Sequence, residues 1–341
     1  MNTSVQARLH AINAQILRTL NRHNLLEIDD IVFVIYPGNK GWILEAICRE
    51  IAKFFPGKTS FHYATDYLPS AKAYFFSHYS LLPLCLRKNP WIEKSQLLVF
   101  YTHPKDLEDA NITKKELYSS FDKATKVICM CSSFANLLKN EGVDPKVLTF
   151  IVGGADPHLF LGHERGSGSV GFSTAYYPRK SPDLILEIIR QMPHRKFTLL
   201  GKRWRMYEHF SEMASLNNFC YVEAPYTDYP KYYADMDVFI SPAKLEGGPI
   251  SLIETMMCNA VPVASRTGFA PDVITHGENG FLFDVDSSVE VICELVEKAF
   301  SVQTDVRKTV EHLSWRNFSL EVQKCLINEL SDCQSATPLR R

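Results

Sequence analysis

The chain has 341 residues, of which 46% are hydrophobic and 22% charged, a composition typical of folded globular proteins. Lysine and arginine total 37, aspartate and glutamate total 38, and the formal net charge is -1. This balance argues against a nucleic-acid partner bound through bulk positive charge. Because single hydrophobic cores rarely grow beyond about 250–300 residues, the length predicts two domains.

The cysteines and the N-terminus indicate the cellular compartment in which the protein is expected. Nine cysteines are scattered along the chain without a CxxC pair, which favours neither disulfides nor a zinc site and suits a reducing environment. We find no charged start followed by an apolar segment at the N-terminus, and no apolar stretch of membrane-spanning length. These features predict a cytoplasmic protein.

An amphipathic helix is predicted over residues 4–26. Its apolar residues recur at helical spacing, and packing onto the following domain is the expected role. Its basic face is weak, which leaves peripheral contact with the inner membrane surface as a lesser alternative. The apolar residues are Leu9, Ile12, Ile16, Leu17 and Leu20, and the basic ones are Arg8, Arg18 and Arg22.

Strands and helices then alternate through the N-terminal half. Residues 31–36 form a continuous apolar run, as expected of a strand buried on both faces of a parallel sheet. A loop over 37–41 and a helix over 42–55 follow. Further strands are predicted at 60–63, 73–77, 97–101, 126–130 and 147–151.

A second array of strands and helices begins after residues 153–157, with a polar, glycine-rich loop at 163–169. Two such arrays predict an α/β protein with two Rossmann-like domains facing each other across a cleft. Ligands of these sheets bind at the carboxyl ends of the strands. The predicted strands are 170–173, 197–200, 220–222, 238–241, 261–264 and 280–283, and the predicted helices lie near 181–192, 205–215, 227–234, 250–259 and 288–301.

The most informative stretch covers residues 241–284. A strand ends there, a loop carries Glu246 and two glycines, and a helix begins near Ile250 with Glu254 in its first turns. Glycine lets the backbone approach a ligand closely, and free N–H groups at a helix N-terminus attract an anion. The two carboxylates bracket this anion site, so both can reach hydroxyls of one extended ligand.

This E-x7-E spacing resembles the signature of retaining glycosyltransferases of the GT-B fold, especially the large family 4, also called group 1. The segments 258–263 and 277–282 are similar to the motifs that follow it in the family. The resemblance implies that Glu254 binds the donor ribose and that Glu246, as a catalytic residue, holds hydroxyls of the transferred sugar. Gly248 and the amides of Ile250 and Ser251 would meet the donor diphosphate.

Other segments resemble the family's remaining donor contacts. Arg179 and Lys180 follow the first strand of the second array, where family members bind the diphosphate, and their charge would stabilise the leaving group. The alternative is a solvated pair at a helix N-terminus, a position that does not favour cations. Gly201 and Lys202 are lesser candidates for the same pocket.

On the N-terminal side, His103 follows the predicted 97–101 strand, where many family members carry a histidine that contacts the donor sugar. The alternative is a histidine that caps a turn. Gly38 and Gly41 lie in the loop that matches the family's glycine loop near the diphosphate, although the usual glycine pair is interrupted. Residues 153–160 resemble an interdomain hinge, and Ser314-Trp315 resembles the start of the family's closing helix.

The resemblance therefore implies an N-terminal acceptor domain over 1–156, a nucleotide-sugar-binding domain over 157–312 and a helix over 313–335 that crosses back. It implies transfer from a nucleoside-diphosphate sugar to a hydroxyl acceptor with retention of configuration, in glycan, polysaccharide or glycolipid assembly, without a metal or other cofactor. A phosphorylase and an epimerase fit less well. A catalytically silent module that binds a glycan or protein is the alternative. Aromatic residues at 63–79 would line an acceptor groove or pack in the core.

Overall fold

The computed structural model describes residues 3–22, 27–103 and 111–326. Within these ranges the chain forms two parallel six-stranded sheets with helices interleaved along the sequence. This architecture confirms the predicted α/β fold class. Each predicted strand is present within two residues of its expected bounds, and most of the apolar runs that marked them are buried in the two sheets.

The first sheet has the strand order β2-β1-β3-β4-β5-β6. All of its neighbours pair in parallel, so each connection crosses over one face of the sheet. The strands are Asp29–Val34 (β1), Thr59–His62 (β2), Ala71–Phe76 (β3), Gln96–Tyr101 (β4), Lys126–Cys129 (β5) and Leu148–Phe150 (β6). The helices are Thr3–Arg22 (α1), Ile43–Lys53 (α2), Leu81–Lys88 (α3), Lys114–Phe121 (α4) and Ser132–Asn140 (α5).

The second sheet has the order β12-β11-β10-β7-β8-β9, again entirely parallel. Its strands are Ser169–Ser173 (β7), Lys196–Leu200 (β8), Phe219–Val222 (β9), Val238–Ser241 (β10), Val261–Ser265 (β11) and Phe281–Phe283 (β12). The helices are Pro182–Gln191 (α6), Phe210–Ala214 (α7), Tyr229–Ala234 (α8), Ile250–Met257 (α9), Ala270–Val273 (α10), Val289–Ala299 (α11), Val306–Val310 (α12) and Trp315–Lys324 (α13).

Helix α1 packs onto the first domain by a different face from the predicted one. His10 Nε2 lies 2.8 Å from the carbonyl oxygen of Leu68, and Ser70 Oγ donates to the carbonyl of Ala14. The small side chain of Ala14 lets the helix approach closely. The predicted apolar face was wrong in part, because Leu9, Ile12 and Ile16 are about half exposed. Residues 23–26 of the predicted helix lie outside the described ranges.

Helix α13 returns to the first domain. Ser314 caps its N-terminus by accepting from the amide of Asn317, and Ala155 pairs with Ser314 at the domain junction. Further along the helix, Ser319 Oγ donates to the carbonyl of Ile51 at 2.9 Å. The helix therefore ties the end of the second domain to α2. Residues 327–335 of the predicted segment lie outside the described ranges.

Phe318→Ala should lower the free energy of unfolding by about 3–5 kcal/mol, as expected for loss of a buried aromatic ring. Phe318 is 3% exposed and packs edge-on against Phe100 of the first domain and against Trp315. Urea unfolding would measure the loss. Leu320→Ala, on the same helix but 45% exposed, should change little, and equal losses for both variants would contradict the packing assigned to α13.

Candidate active site

A cavity of about 640 Å³ lies between the two domains. Its walls come from the carboxyl ends of strands in both sheets and from the helices that follow them. In the second sheet, β7 and β10 are neighbours although they are far apart in sequence. The connections therefore diverge between them, and such switch points form the ligand-binding crevice of open parallel sheets.

The cations that follow β7 meet the carboxylate that follows β10. Arg179 and Lys180 lie in a 3-10 turn over Pro178–Lys180, and Ser181 then adopts a left-handed conformation with φ 56°. Lys180 Nζ forms an ion pair with Glu246 Oε1, and Arg179 Nη1 lies 3.3 Å from Glu246 Oε2. Burial lowers the pKa of Lys180, partly opposed by the charge of Glu246.

This cluster is not the solvated pair that the sequence left as an alternative. The side chain of Lys180 is 14% exposed and that of Glu246 is 7% exposed, whereas the side chain of Arg179 is 36% exposed. A mostly buried cation beside a partly open one creates a positive wall in the cavity. Such a wall suits an anionic ligand, and Glu246 supplies acceptor oxygens next to it.

Helix α9 points its N-terminus at the same cavity. Pro249 stands just before the helix and accepts a hydrogen bond from the amide of Leu252 at 2.8 Å. The amides of Ile250 and Ser251 lie in the first turn, where no intrahelical acceptor exists, and both residues line the cavity. Ser251 Oγ donates to the carbonyl of Ser173 at the end of β7, which anchors the helix start beside the cations.

Glu254 lies one turn further along α9 and is 3% exposed. Its Oε1 accepts from the hydroxyl of Tyr226 at 2.5 Å, and its Oε2 accepts from that of Tyr233 at 3.3 Å. Burial raises the pKa of Glu254 to about 7, although both hydrogen bonds act in the opposite direction. The carboxyl group, which lies on the wall of the cavity, therefore changes between its neutral and ionised forms near pH 7.

The first domain contributes a mixed wall. His103 follows β4 and lines the cavity, with Thr102 Oγ1 3.3 Å from its Nδ1. Asn39 and the half-exposed Trp42 line it from the loop after β1. Pro104, next to His103, lies outside the described ranges.

Gly38 and Gly41 are not among the residues that line the cavity. The Gly41 amide donates to Glu45 Oε2 at 2.5 Å, and its φ of 78° explains the glycine. Most aromatic residues of the 63–79 segment are packed in the core. Tyr74, Phe75 and Phe76 are fully buried and Tyr79 nearly so.

The remaining predicted donor residues divide into two kinds. Gly201 and Lys202 line the cavity after β8, and a side chain at Gly201 would collide with the carbonyl of Thr174. Gly248 also lines it, but its missing side chain accommodates Met130 of the first domain and Phe269. The absence of a side chain at Gly248 therefore allows close contact between the domains, at a glycine that the sequence predicts as a donor contact.

Two further contacts join the domains at this edge. A Cβ atom at Gly247 would lie 2.2 Å from the carbonyl oxygen of Thr102. Nearby, Asp272 of α10 accepts from the backbone amide and from the hydroxyl of Ser132, the first residue of α5. The glycine loop and this helix-capping carboxylate hold the two walls of the cavity together.

Sequence reasoning missed the tyrosines around Glu254. Tyr226, Tyr229 and Tyr233 all line the cavity, and their spacing of three and four residues places them on one face of a helix. That spacing was the available signal. It was overlooked because tyrosine is common in cores, and nothing local indicated that this face would meet a carboxylate 21 residues or more away.

Comparison with known proteins gives a family match that lies in the second domain. Residues 161–313 match the family model for glycosyl transferases group 1. An uncharacterized glycosyltransferase of Methanocaldococcus jannaschii is 23% identical over 223 residues, which cover 61% of this chain and 60% of that protein. A glycogen synthase of Protochlamydia amoebophila is 28% identical over 192 residues, 48% of this chain and 36% of that protein. The chain thus spans less than two thirds of either curated relative.

Solved structures share the two-domain architecture. Anabaena HepE in complex with UDP superimposes with a TM-score of 0.69 at 14% identity, over 86% of this chain and 98% of that one. Sucrose-phosphate synthase from Thermosynechococcus elongatus gives 0.69 at 13% identity, over 90% and 99%. Both align across both domains, not the second alone. Residues 161–313 therefore resemble the group 1 glycosyltransferases, and the two facing domains of the chain have the GT-B fold.

Proposed function

We propose that the protein transfers a sugar from a nucleoside-diphosphate sugar to a hydroxyl acceptor, with retention of anomeric configuration. The observation that carries the proposal is the convergence, in one interdomain cavity, of two cations, two carboxylates and a helix N-terminus. Each part matches one part of such a donor. The cations and free amides suit the diphosphate, and the carboxylates suit the ribose and sugar hydroxyls.

In the proposed reaction the bond between the anomeric carbon and the diphosphate oxygen breaks as the acceptor oxygen approaches from the same face. The proton of the acceptor hydroxyl passes to the departing phosphate oxygen, so no separate protein base is required. Arg179, Lys180 and the N-terminus of α9 stabilise the charge that develops on the leaving group. Because these groups already supply positive charge, we assign the donor no metal ion.

The N-terminal wall would receive the acceptor, with His103 near the transferred sugar. We place the reaction in glycan, polysaccharide or glycolipid assembly, in the cytoplasm. Within the described ranges no helix is long and apolar enough to span a membrane. The solved structures of HepE with UDP and with UDP-glucose make UDP-glucose the first donor to test.

One nucleoside-diphosphate sugar should raise the melting temperature of the wild type and not that of Glu254→Ala. A ligand at 100 times its dissociation constant adds about 2.7 kcal/mol to the free energy of unfolding, which thermal shift detects readily. Glu278→Ala, which removes an exposed carboxylate of the same domain, should respond like the wild type. Transfer would then be followed with the stabilising donor, and the anomer of the product read by NMR.

Two results would contradict the proposal. A product of inverted anomeric configuration would exclude the retaining mechanism. If no nucleotide or sugar nucleotide stabilises the protein, the transferase assignment fails, and a silent GT-B module that binds a glycan or a protein becomes the better description.

A further inference from the structure

The carboxylate of Glu254 is held from two sides by tyrosine hydroxyls. Tyr226 donates to Oε1 at 2.5 Å and Tyr233 donates to Oε2 at 3.3 Å, and the hydroxyl of Tyr233 also lies 2.7 Å from Ser173 Oγ. Tyr226 lies in the connection after β9 and Tyr233 lies in α8, so both tyrosines donate to the carboxylate from segments that neighbour α9. The orientation of the carboxylate is thus set before any ligand arrives.

The number of acceptor positions on Glu254 matters here. A carboxylate offers about four lone-pair positions, two on each oxygen. The tyrosines occupy one position on each oxygen, which leaves one on each. Two vicinal hydroxyls, such as those of a ribose, match the two that remain.

We propose that Tyr226 is a positioning residue for the donor: its hydroxyl orients Glu254 so that one free lone pair on each carboxylate oxygen faces the ribose diol. This inference rests on the proposed function, because it assumes that Glu254 binds the ribose. Tyr226 has the shorter of the two hydrogen bonds and its ring is half exposed at the cavity, whereas Tyr233 is fully buried. The hydroxyl of Tyr226 can therefore be removed with little effect on the core.

The charge of Glu254 gives the inference a measurable signature. A carboxyl group must be ionised to accept from two ribose hydroxyls. Burial raises the pKa of Glu254 to about 7, and the hydrogen bonds from Tyr226 and Tyr233 lower it from a still higher value. The pKa of Tyr226 is itself raised far above its ordinary value by burial of its hydroxyl, so that group stays protonated and keeps donating.

The other titratable groups around Glu254 do not supply this effect. Tyr229 and Cys258 both have raised pKa values, first through burial and then through the negative charge of Glu254. Both are neutral near neutral pH and add no positive charge that would keep the carboxyl ionised. Among the residues that the structure describes, the tyrosine hydroxyls that donate to Glu254 are the groups that favour its ionised form.

The test is UDP binding to Tyr226→Phe as a function of pH, measured by calorimetry. Losing the hydroxyl should raise the pKa of Glu254, so the pH below which affinity falls should move upward by about one unit, equivalent to about fivefold weaker binding at neutral pH and about tenfold weaker binding at lower pH. Affinity should recover as the pH rises further. The 2′,3′-dideoxy analogue of UDP, which keeps the phosphates but lacks the diol, should bind both proteins equally.

Controls separate positioning from mere packing. Tyr232→Phe removes a hydroxyl from the adjacent helix α8, outside the cavity lining, and should leave the pH profile unchanged. In a Glu254→Gln background, Tyr226→Phe should have no further effect, because its partner can no longer titrate. An unshifted profile for Tyr226→Phe, or equal weakening of the dideoxy analogue, would overturn the inference.

Different results would contradict the role of Tyr226 and the proposed function. If UDP binds the wild type and Glu254→Gln weakens it while Tyr226→Phe does not, the donor site stands and the role of Tyr226 is lost. If no nucleotide binds the wild type at all, the proposed function fails first and the inference with it.

Discussion

Lys180→Met should lower the turnover of the proposed sugar transfer by about 10²–10³-fold, the size of effect expected when one preorganised electrostatic group is removed from a transition state. The ammonium group is mostly buried and faces the cavity from the turn after β7. Water cannot replace it there as it would at an exposed site. Steady-state kinetics with the stabilising donor would measure the loss.

The same substitution should also destabilise the protein, by about 3–5 kcal/mol, because it leaves the carboxylate of Glu246 buried beside a single cation. Arg179 remains at 3.3 Å but is more exposed than Lys180. Adding Glu246→Gln removes the negative charge that has lost its more buried partner. The double variant should therefore regain much of the stability in urea unfolding and none of the activity.

Lys244→Met is the matched control, because it removes an exposed lysine from the loop that carries Glu246. We expect neither its kinetics nor its stability to change appreciably. If Lys180→Met keeps its activity, the positive wall does not act on the leaving group. If the double variant regains activity together with stability, the pair has only a structural role.

Gly247→Ala should reduce turnover by about 10²-fold, since a misplacement of about 1 Å between reacting groups can cost that much. The added Cβ would lie 2.2 Å from the carbonyl oxygen of Thr102 and 2.6 Å from its carbonyl carbon, both in the other domain. A backbone group cannot rotate away as a side chain can. The two domains must therefore separate at this edge.

Nucleotide binding should respond differently. The predicted diphosphate and ribose contacts that line the cavity all lie in the second domain, so the affinity of Gly247→Ala for UDP should stay within about threefold of the wild type. Hydrogen exchange should speed up at the amide of Ser132, which donates across the interface to Asp272.

Gly57→Ala provides the comparison. The atoms nearest to its Cβ would be those of the Asp30 side chain, within the first domain, so it should affect stability and leave turnover intact. Two results would show that Gly247 does not serve contact between the domains. One is unchanged turnover in Gly247→Ala, and the other is a loss of UDP affinity equal to the loss of turnover.

Much of the architecture was predictable from local patterns. A strand such as β1 appears as an unbroken apolar run because both faces of a parallel sheet are covered, and Ile31, Val32 and Phe33 are indeed fully buried. The loop and helix that carry Glu246 and Glu254 could also be predicted from a local pattern. Glycine, proline and the start of an apolar helix occur in a short contiguous segment, where local rules apply.

Other features depended on contacts between distant segments. The face by which α1 docks was mispredicted, because hydrophobic spacing shows which residues are apolar but not which neighbour the helix will meet. Gly248 was predicted to contact the donor, and the structure adds a contact between the domains that the sequence did not indicate: the atoms that exclude a side chain at Gly247 and Gly248 belong to Thr102, Met130 and Phe269. No pattern near a glycine specifies which atoms will later approach it.

The chain alone thus determined the two βα arrays, the E-x7-E segment and the identity of the charged residues, since each depends on near neighbours in sequence. Only the tertiary structure decided that β7 lies beside β10, which brings Lys180 to Glu246 across 66 positions. It also decided that Tyr226 and Tyr233 hold Glu254. Strand order and side-chain convergence arise from packing of the whole domain, and that information is not present in any local stretch of sequence.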